Sequence, residues 1–508
     1  MTAAVPTPIP KTESVFRPAL LLMSGRTLAF AATFFIPVVL ARTFDQAQFG
    51  TYKQLFLIYS TAYLIAQLGM ATSLYYFLPA ASHEAGRYVA NSMLFLGTAG
   101  LACCGVVVVA APKLAHWLSN GELSGYLPWI GLYLFLMMLS AALEIVLISR
   151  RRYFWASASY ALSDLARAVA FLLPVLLFRQ LKWLLKGSVV VAFLRVLLTL
   201  FYFRREFRGG FTPDRVLFKA QLAYALPFAA AVLVEIVQVG LPQYAVSYLF
   251  DPATFAIFAV GCLQIPLVDV AASPTSDVMM VKMQEKLAEG QKPAVVAIWH
   301  DTTWKLALLF FPLVVFCLVA ARQIIVLLFT EKYAASVPIF IAWSTIILLA
   351  TLQVDGVMRV FAQTRFLLAL NVMRLAILAG LLKWSLSEFH LLGPVLAVIL
   401  ATLAFKAAAL IRMKKLLDIG VAQLLPWGSL AALLGAATGA GAAAWAVKSQ
   451  MHVATAPLLC ATWLAYMIVY TALVWHFDLL NSGEKQALAQ WARKLRAATA
   501  GAFGYGKG

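Results

Sequence analysis

Runs of about 20 predominantly apolar residues follow one another along almost the whole chain, and each is long enough to cross the hydrocarbon of a bilayer as a helix. On this rule spans fall near residues 18–40, 54–78, 88–111, 126–148, 154–178, 183–203, 220–248, 253–280, 302–329, 333–353, 366–387, 391–411, 423–447 and 454–477. These runs predict an all-α polytopic membrane protein with about fourteen crossings. The chain of 508 residues is 63% hydrophobic and 12% charged, whereas soluble domains are about half apolar and a quarter charged.

A net charge of +19 would point to nucleic acid in a soluble protein. Here its placement follows the positive-inside rule. With the N-terminus in the cytoplasm, well over half of the 40 Lys and Arg residues fall in cytoplasmic segments, including Arg150, Arg151, Arg152, Arg204, Arg205 and Arg208. Both termini are therefore expected inside, and no nucleic-acid partner is expected. Residues 1–14 are polar and contain proline, so the first apolar run reads as a retained anchor and not a cleaved signal. Cys103, Cys104, Cys262, Cys317 and Cys460 all fall in spans and read as small apolar packing residues.

The chain also resembles itself. Phe44-Asp45-Gln46-Ala47-Gln48-Phe49 recurs as Phe250-Asp251-Pro252-Ala253-Thr254-Phe255, each copy lying between apolar runs. A second echo pairs Lys113–Leu118 with Arg322–Leu328. An even number of spans separates the copies, so both halves cross in the same sense, the pattern of a transporter with two lobes around a central site. The basic, Gly-containing link at 204–210 is the natural lobe boundary. The expected organisation is a tail at 1–17, a six-helix lobe at 18–208, a second at 209–413, two additional helices at 414–480 and an amphipathic cytoplasmic tail at 481–508. A second cytoplasmic link, 282–305, reads as an amphipathic helix at the inner surface. The small-residue pattern Gly435–Gly439 reads as a packing face of the added helices.

No stretch outside the spans is long enough for a catalytic domain. There is no P-loop, no dinucleotide fingerprint, no HExxH and no Cys/His cluster with metal spacing, so neither enzyme activity, nor a metal, nor a cofactor is expected. The informative residues are ionisable groups at membrane depth, which are costly there and face protein or water. They are Arg26, Glu144, Asp164, Arg167, Arg195, Glu235, Asp269, Asp277, Arg374 and Lys406. Asp164 and Arg167 share a helical face and form a candidate local pair; Arg195 lies nearer mid-span. Helix breakers concentrate at Pro37, Pro227, Pro242, Pro266 and Pro274. On the seventh span Glu235, Gln238 and Pro242 share a stripe, and on the eighth Asp269, Ser273 and Asp277 share another, two polar faces suited to a cavity wall.

The segments Phe35–Arg42, Phe49–Gln54, Leu68–Met70 and Ser73–Pro79 resemble the opening of Wzx-type polysaccharide flippases of the multidrug/oligosaccharidyl-lipid/polysaccharide (MOP) exporter superfamily. Ile324–Tyr333 is similar to the stretch after that family's ninth span, with Thr330 where glycine is usual. The resemblance implies a MATE-like fold, two six-helix bundles forming a V, in the bacterial inner membrane. It also implies transport of a polyprenyl-diphosphate-linked oligosaccharide between leaflets by alternating access, with membrane lipids and a polysaccharide polymerase or glycosyltransferases as partners. By the same analogy Arg26 becomes a candidate for the diphosphate, and Glu235 and Asp269 for sugar hydroxyls or a coupling ion; depth in the sixth span adds Arg195 as a cavity residue for the same anion, and a carboxylate at membrane depth adds Asp164 to Glu235 and Asp269 as ion-coupling candidates. A cation-coupled multidrug antiporter, favoured by those carboxylates, and a non-transporting subunit of a polysaccharide synthase complex are the alternatives.

Topology is open to direct measurement. A phosphatase that is active only outside the cytoplasm, fused after Arg205, should be inactive; an active fusion would overturn the assignment of both termini to the cytoplasm.

Overall fold

The computed structural model describes residues 34–80, 82–207, 210–451 and 453–480. The expected tail at 1–17, most of the first span with Arg26, and the amphipathic tail after 481 lie outside these residues. Among the described residues all regular structure is helical. Eleven segments are long and apolar enough to cross a membrane, or up to twelve if one bent pair counts as a span. The longest of them, 364–417, turns back at His390, where φ is +47°. Its halves, α17 (Thr364–Phe389) and α18 (Gly393–Leu417), pack against each other as two membrane-length helices. The expected count of about fourteen also includes the first span, of which only α1 (Phe34–Thr43) is described.

Contacts gather the chain into two compact units that divide between Ala259 and Val260. Within the first unit α10 (Arg215–Leu249) packs on α2 (Gln46–Gln67), α3 (Met70–Ala80) and α4 (Ala85–Val109). Polar contacts pin both of its ends. At the start, Asn91 and Asp214 exchange two hydrogen bonds of 3.0 and 2.9 Å. Two turns on, Gln221 donates to Ser73 and Ser92 at 3.0 and 2.6 Å. At the far end Gln54 Nε2 donates to Ser247 Oγ at 2.8 Å. A hydrogen bond made in an apolar, water-poor interior has no competing partner, so these latches hold α10 firmly to the helices before it.

The duplicated motif has a structural meaning. Asp45 caps α2 by accepting from the Gln48 amide at 2.7 Å, and Asp251 caps α11 (Pro252–Gly261) by accepting from the Thr254 amide at 2.9 Å. In each copy the carboxylate satisfies a free amide of the first turn. Phe44, Phe49 and Phe255 are buried. The two copies also meet, because Gly50 lies against Pro252, where a Cβ would come within 1.8 Å of the Pro252 carbonyl oxygen.

The remainder of the first unit is α5 (Ala111–Trp117), α6 (Leu123–Leu139), α7 (Leu143–Ser149), α8 (Tyr153–Phe178) and α9 (Leu181–Glu206). The second unit centres on α13 (Lys292–Phe329), flanked by α12 (Pro266–Ala288), α14 (Val337–Ser344), α15 (Ile346–Ala350), α19 (Trp427–Gln450) and α20 (Thr455–His476). α16 (Val354–Val360) packs on α12 and α18. Between α11 and α12 the chain bends by 50°, immediately before Pro266, one of the expected breakers. Residues 282–305, expected as a separate surface helix, are instead the end of α12, a turn at Gly290 with φ +73°, and the start of α13. Their apolar residues are claimed by the core: Trp299 is fully buried and donates its indole N–H to the Leu424 carbonyl at 2.8 Å. On α19 the packed small-residue face is Ala436, Ala437, Ala440, Gly441 and Ala444, with Gly441 against Val315, while Gly435 faces open space.

Gly50→Val should lower the thermal unfolding midpoint of detergent-solubilised protein, because overpacking against backbone that cannot yield costs about 1–3 kcal/mol or more. Gly105→Val is the control, since nothing lies within 4 Å of a Cβ there. An equal midpoint for both variants would refute the contact between the two motif copies.

Candidate functional site

A cavity of about 940 Å³ lies in the first unit, lined by residues of α6, α7, α8 and α9. α8 and α9 are joined at both ends of the cavity. At one end Gly187 admits the Ala170 carbonyl, which a Cβ would approach to 2.5 Å, and Phe178 stacks on Trp183 with centroids 4.7 Å apart. At the other end the helices are bridged by Arg152 and Glu206 at 2.8 Å, with Arg150 3.8 Å from the same carboxylate.

The inner wall is polar and organised around Arg195. Its guanidinium donates from one terminal nitrogen to both Glu144 oxygens at 2.9 Å, and from Nε to the Ser140 hydroxyl at 3.0 Å. Ser159 donates to Glu144 Oε1 at 2.8 Å. Ser140 terminates α6 and Glu144 opens α7, so the break in this span turns both groups towards α9. Glu144 is only 4% exposed. Removing one partner of such a pair leaves an uncompensated charge at a cost of about 3–5 kcal/mol. On α8, Asp164 and Arg167 form the ion pair that their spacing predicts, and Arg167 also reaches the Tyr133 phenol. Ser159 and Ser163 add hydroxyls to the same lining. Beneath it, Tyr59, Tyr133, Phe56 and Phe171 pack ring against ring, with Tyr59 and Tyr133 centroids 5.0 Å apart.

The mouth is apolar. Trp155 and Leu162 of α8 and Leu194, Leu198 and Phe201 of α9 line the cavity, yet each is more than half exposed, from 52% to 65%. The arrangement can hold a molecule that offers polar groups to one wall and hydrocarbon to the mouth. Among the described residues no group of three or more His, Cys, Asp or Glu is placed to hold a metal.

Of the residues expected at the site, the structure brings Arg195 and Asp164 into one cavity. Arg26 lies outside the described residues. Glu235 is an exposed position on α10 in the first unit, and Asp269 an exposed position on α12 in the second; neither lines this cavity. Gln238, on the stripe of Glu235, is buried. The expected polar faces of the seventh and eighth spans are therefore not the walls of the cavity found here. Sequence reasoning named Glu144 as an intramembrane charge without pairing it to Arg195, and passed over Arg152, Arg205 and Glu206 at the rim. Pairing across 51 positions leaves no local signal. The rim charges had been absorbed into the positive-inside pattern.

A model of a polysaccharide biosynthesis protein family matches residues 39–338. Among solved structures, the lipid II flippase MurJ in an inward closed conformation aligns with a TM-score of 0.71 at 11% identity, over 92% of this chain and 100% of that one. An inward-facing multidrug resistance MATE family transporter of the MOP superfamily aligns at 0.57 and 12% identity, over 79% and 100%. A MOP superfamily transporter from Pyrococcus furiosus aligns at 0.53 and 13%, over 80% and 96%. No curated protein matches the sequence. With the family model covering more than half its length and the MurJ- and MATE-like fold running through it, this chain belongs to the polysaccharide biosynthesis protein family as a multi-pass membrane protein of the MOP transporter fold.

Proposed function

We propose that this protein is a flippase that moves a polyprenyl-diphosphate-linked oligosaccharide from the inner to the outer leaflet of the bacterial inner membrane. One observation carries the reading: in a chain of this family, a membrane-embedded cavity combines a hydrogen-bonding inner wall with an apolar mouth on spanning helices. A soluble sugar has no use for the mouth, and a plain lipid has none for the wall. A glycan joined to a lipid uses both.

In this reading the hydroxyls of Ser159 and Ser163 and the Asp164–Arg167 pair exchange hydrogen bonds with sugar hydroxyls, replacing water lost from the glycan. The charges of the wall are mutually neutralised, so an uncharged glycan meets dipoles and no unpaired ion. Arg195 acts as a positioning residue, holding α7 to α9 through Glu144, and presents its remaining donors to the cavity. Arg26, Glu235 and Asp269 remain candidates for contact with the substrate head, and the two carboxylates for ion coupling. Asp164 is committed to Arg167, which weakens the antiporter alternative at that position. Polymerase or glycosyltransferase partners belong to the same proposal.

The test uses vesicles loaded with a fluorescent lipid-linked oligosaccharide, scoring its protection from a membrane-impermeant quencher, alongside surface glycan in cells. Arg195→Ala alone should deplete the protein, since Glu144 is left charged and unpaired. Replacing both groups by apolar residues of similar size, Arg195→Met with Glu144→Leu, should keep protein level near normal, because such swaps are often neutral in stability, while transport falls about tenfold, the equivalent of about 1.4 kcal/mol in the barrier. Wild-type transport by the double variant would remove the pair from the mechanism. Asp164→Asn, Glu235→Gln and Asp269→Asn should each slow transport if carboxylates couple an ion; no change in any, together with indifference to collapsed proton and sodium gradients, would dismiss coupling.

A further inference from the structure

The cavity has a direction that the flippase reading does not by itself supply. Arg195 and Arg205 are ten residues apart on α9, about 15 Å along a helix. That is half of the roughly 30 Å hydrocarbon thickness, and the cavity continues past Arg195 to Ser188, so it runs from the end of the span along most of its length. Over this length the lining residues Leu162 of α8 and Leu194, Leu198 and Phe201 of α9 are apolar and exposed. Leu194, Leu198 and Phe201 follow one another at helical spacing and form a continuous strip of hydrocarbon up one side of the opening.

Charge is distributed unevenly around this opening. Inside, Arg195 is bonded to Glu144 and Arg167 to Asp164. At the rim, Arg152 is held by Glu206 and lies 5.7 Å from the Tyr202 ring. Arg205 also lines the cavity and is exposed, and among the described residues no ion pair engages it. A cation at the end of a span, at the foot of an apolar strip, has the layout of a lipid phosphate site.

Resting on the flippase reading above, we infer that Arg205 holds the diphosphate of the lipid-linked substrate at this rim, and that its polyprenyl chain leaves the cavity between α8 and α9 along Leu194, Leu198 and Phe201. The glycan extends from the phosphate along the inner wall of Ser159, Ser163, Asp164 and Arg167. The head is thus enclosed while the chain never leaves the bilayer. A resident phospholipid would place acyl chains against that polar wall, where they satisfy nothing. The seam is a binding site for a phosphate-bearing isoprenoid lipid.

The experiment places a photo-crosslinking amino acid at Leu162 or Leu198, and at Val109 as an exposed apolar control on α4. The full chain is reconstituted in phosphatidylethanolamine–phosphatidylglycerol vesicles with undecaprenyl diphosphate bearing one sugar. Capture of this probe at Leu162 and Leu198 should exceed that at Val109, and should fall about tenfold in Arg205→Ala or Arg205→Glu, the weight of a charge-assisted hydrogen bond, with recovery in Arg205→Lys. Among the described residues no ion pair is stranded by the loss of Arg205, so these variants should keep wild-type expression and melting. Equal capture at all three positions, capture of phospholipid alone, or indifference to Arg205→Glu would each overturn the site. Flipping of the probe by the wild-type protein is measured in the same vesicles. Intact flipping with a silent seam refutes the seam and leaves the flippase reading; strong seam capture without flipping keeps the lipid site and removes the flippase reading.

Discussion

A charged side chain in hydrocarbon must find its opposite, and the first unit is arranged around that requirement. Arg195 could not remain at mid-span on α9 without Glu144, and Glu144 reaches it because its own span breaks at Ser140. The break, the pair and the two serine hydroxyls that complete its hydrogen bonding form one structure. It keeps α7 and α9 together on the inner side of the cavity that α6, α7, α8 and α9 line. Without the pair, the polar wall would lose the group that makes it affordable in a membrane.

The second organising device is the repeated aspartate cap. Asp45 and Asp251 each begin a helix in the same way and each lies beside buried phenylalanines. Gly50 then lets one copy approach the other at backbone distance. Duplication therefore shows here as a chemical event repeated at two places as well as a similarity of letters. It also explains why α10 and the start of α11 are counted with the first unit: the residues around the second copy are joined to the first by Gln54, Ser247 and the Gly50–Pro252 contact.

Polysaccharide export and drug export share this fold, so the cavity and not the fold has to distinguish them. An antiporter needs a carboxylate free to exchange a proton or sodium ion against a cation. In this cavity Asp164 and Glu144 are bound to arginines, and the surplus charge at the rim is positive. Positive surplus beside an apolar opening suits an anionic amphiphile, which is the chemistry of a lipid-linked glycan.

Much was legible in the residues alone. Span length and apolarity determine a helical membrane protein because about 20 apolar residues in a row have no other stable fate in a bilayer. The repeat at Phe44 and Phe250, the Asp164–Arg167 pair and the bend before Pro266 follow from local spacing, since each joins residues a few positions apart or breaks a helix where it stands. The pairing of Arg195 with Glu144, the latching of α10 onto α3 and α4, and the absorption of residues 282–305 into two long helices were decided only by tertiary structure. Each depends on which helix faces which, and apolar surfaces that attract one another without direction leave that choice to close packing and a few buried hydrogen bonds. The cavity belongs to the same class, because it is a gap between helices, and no residue encodes a gap by itself.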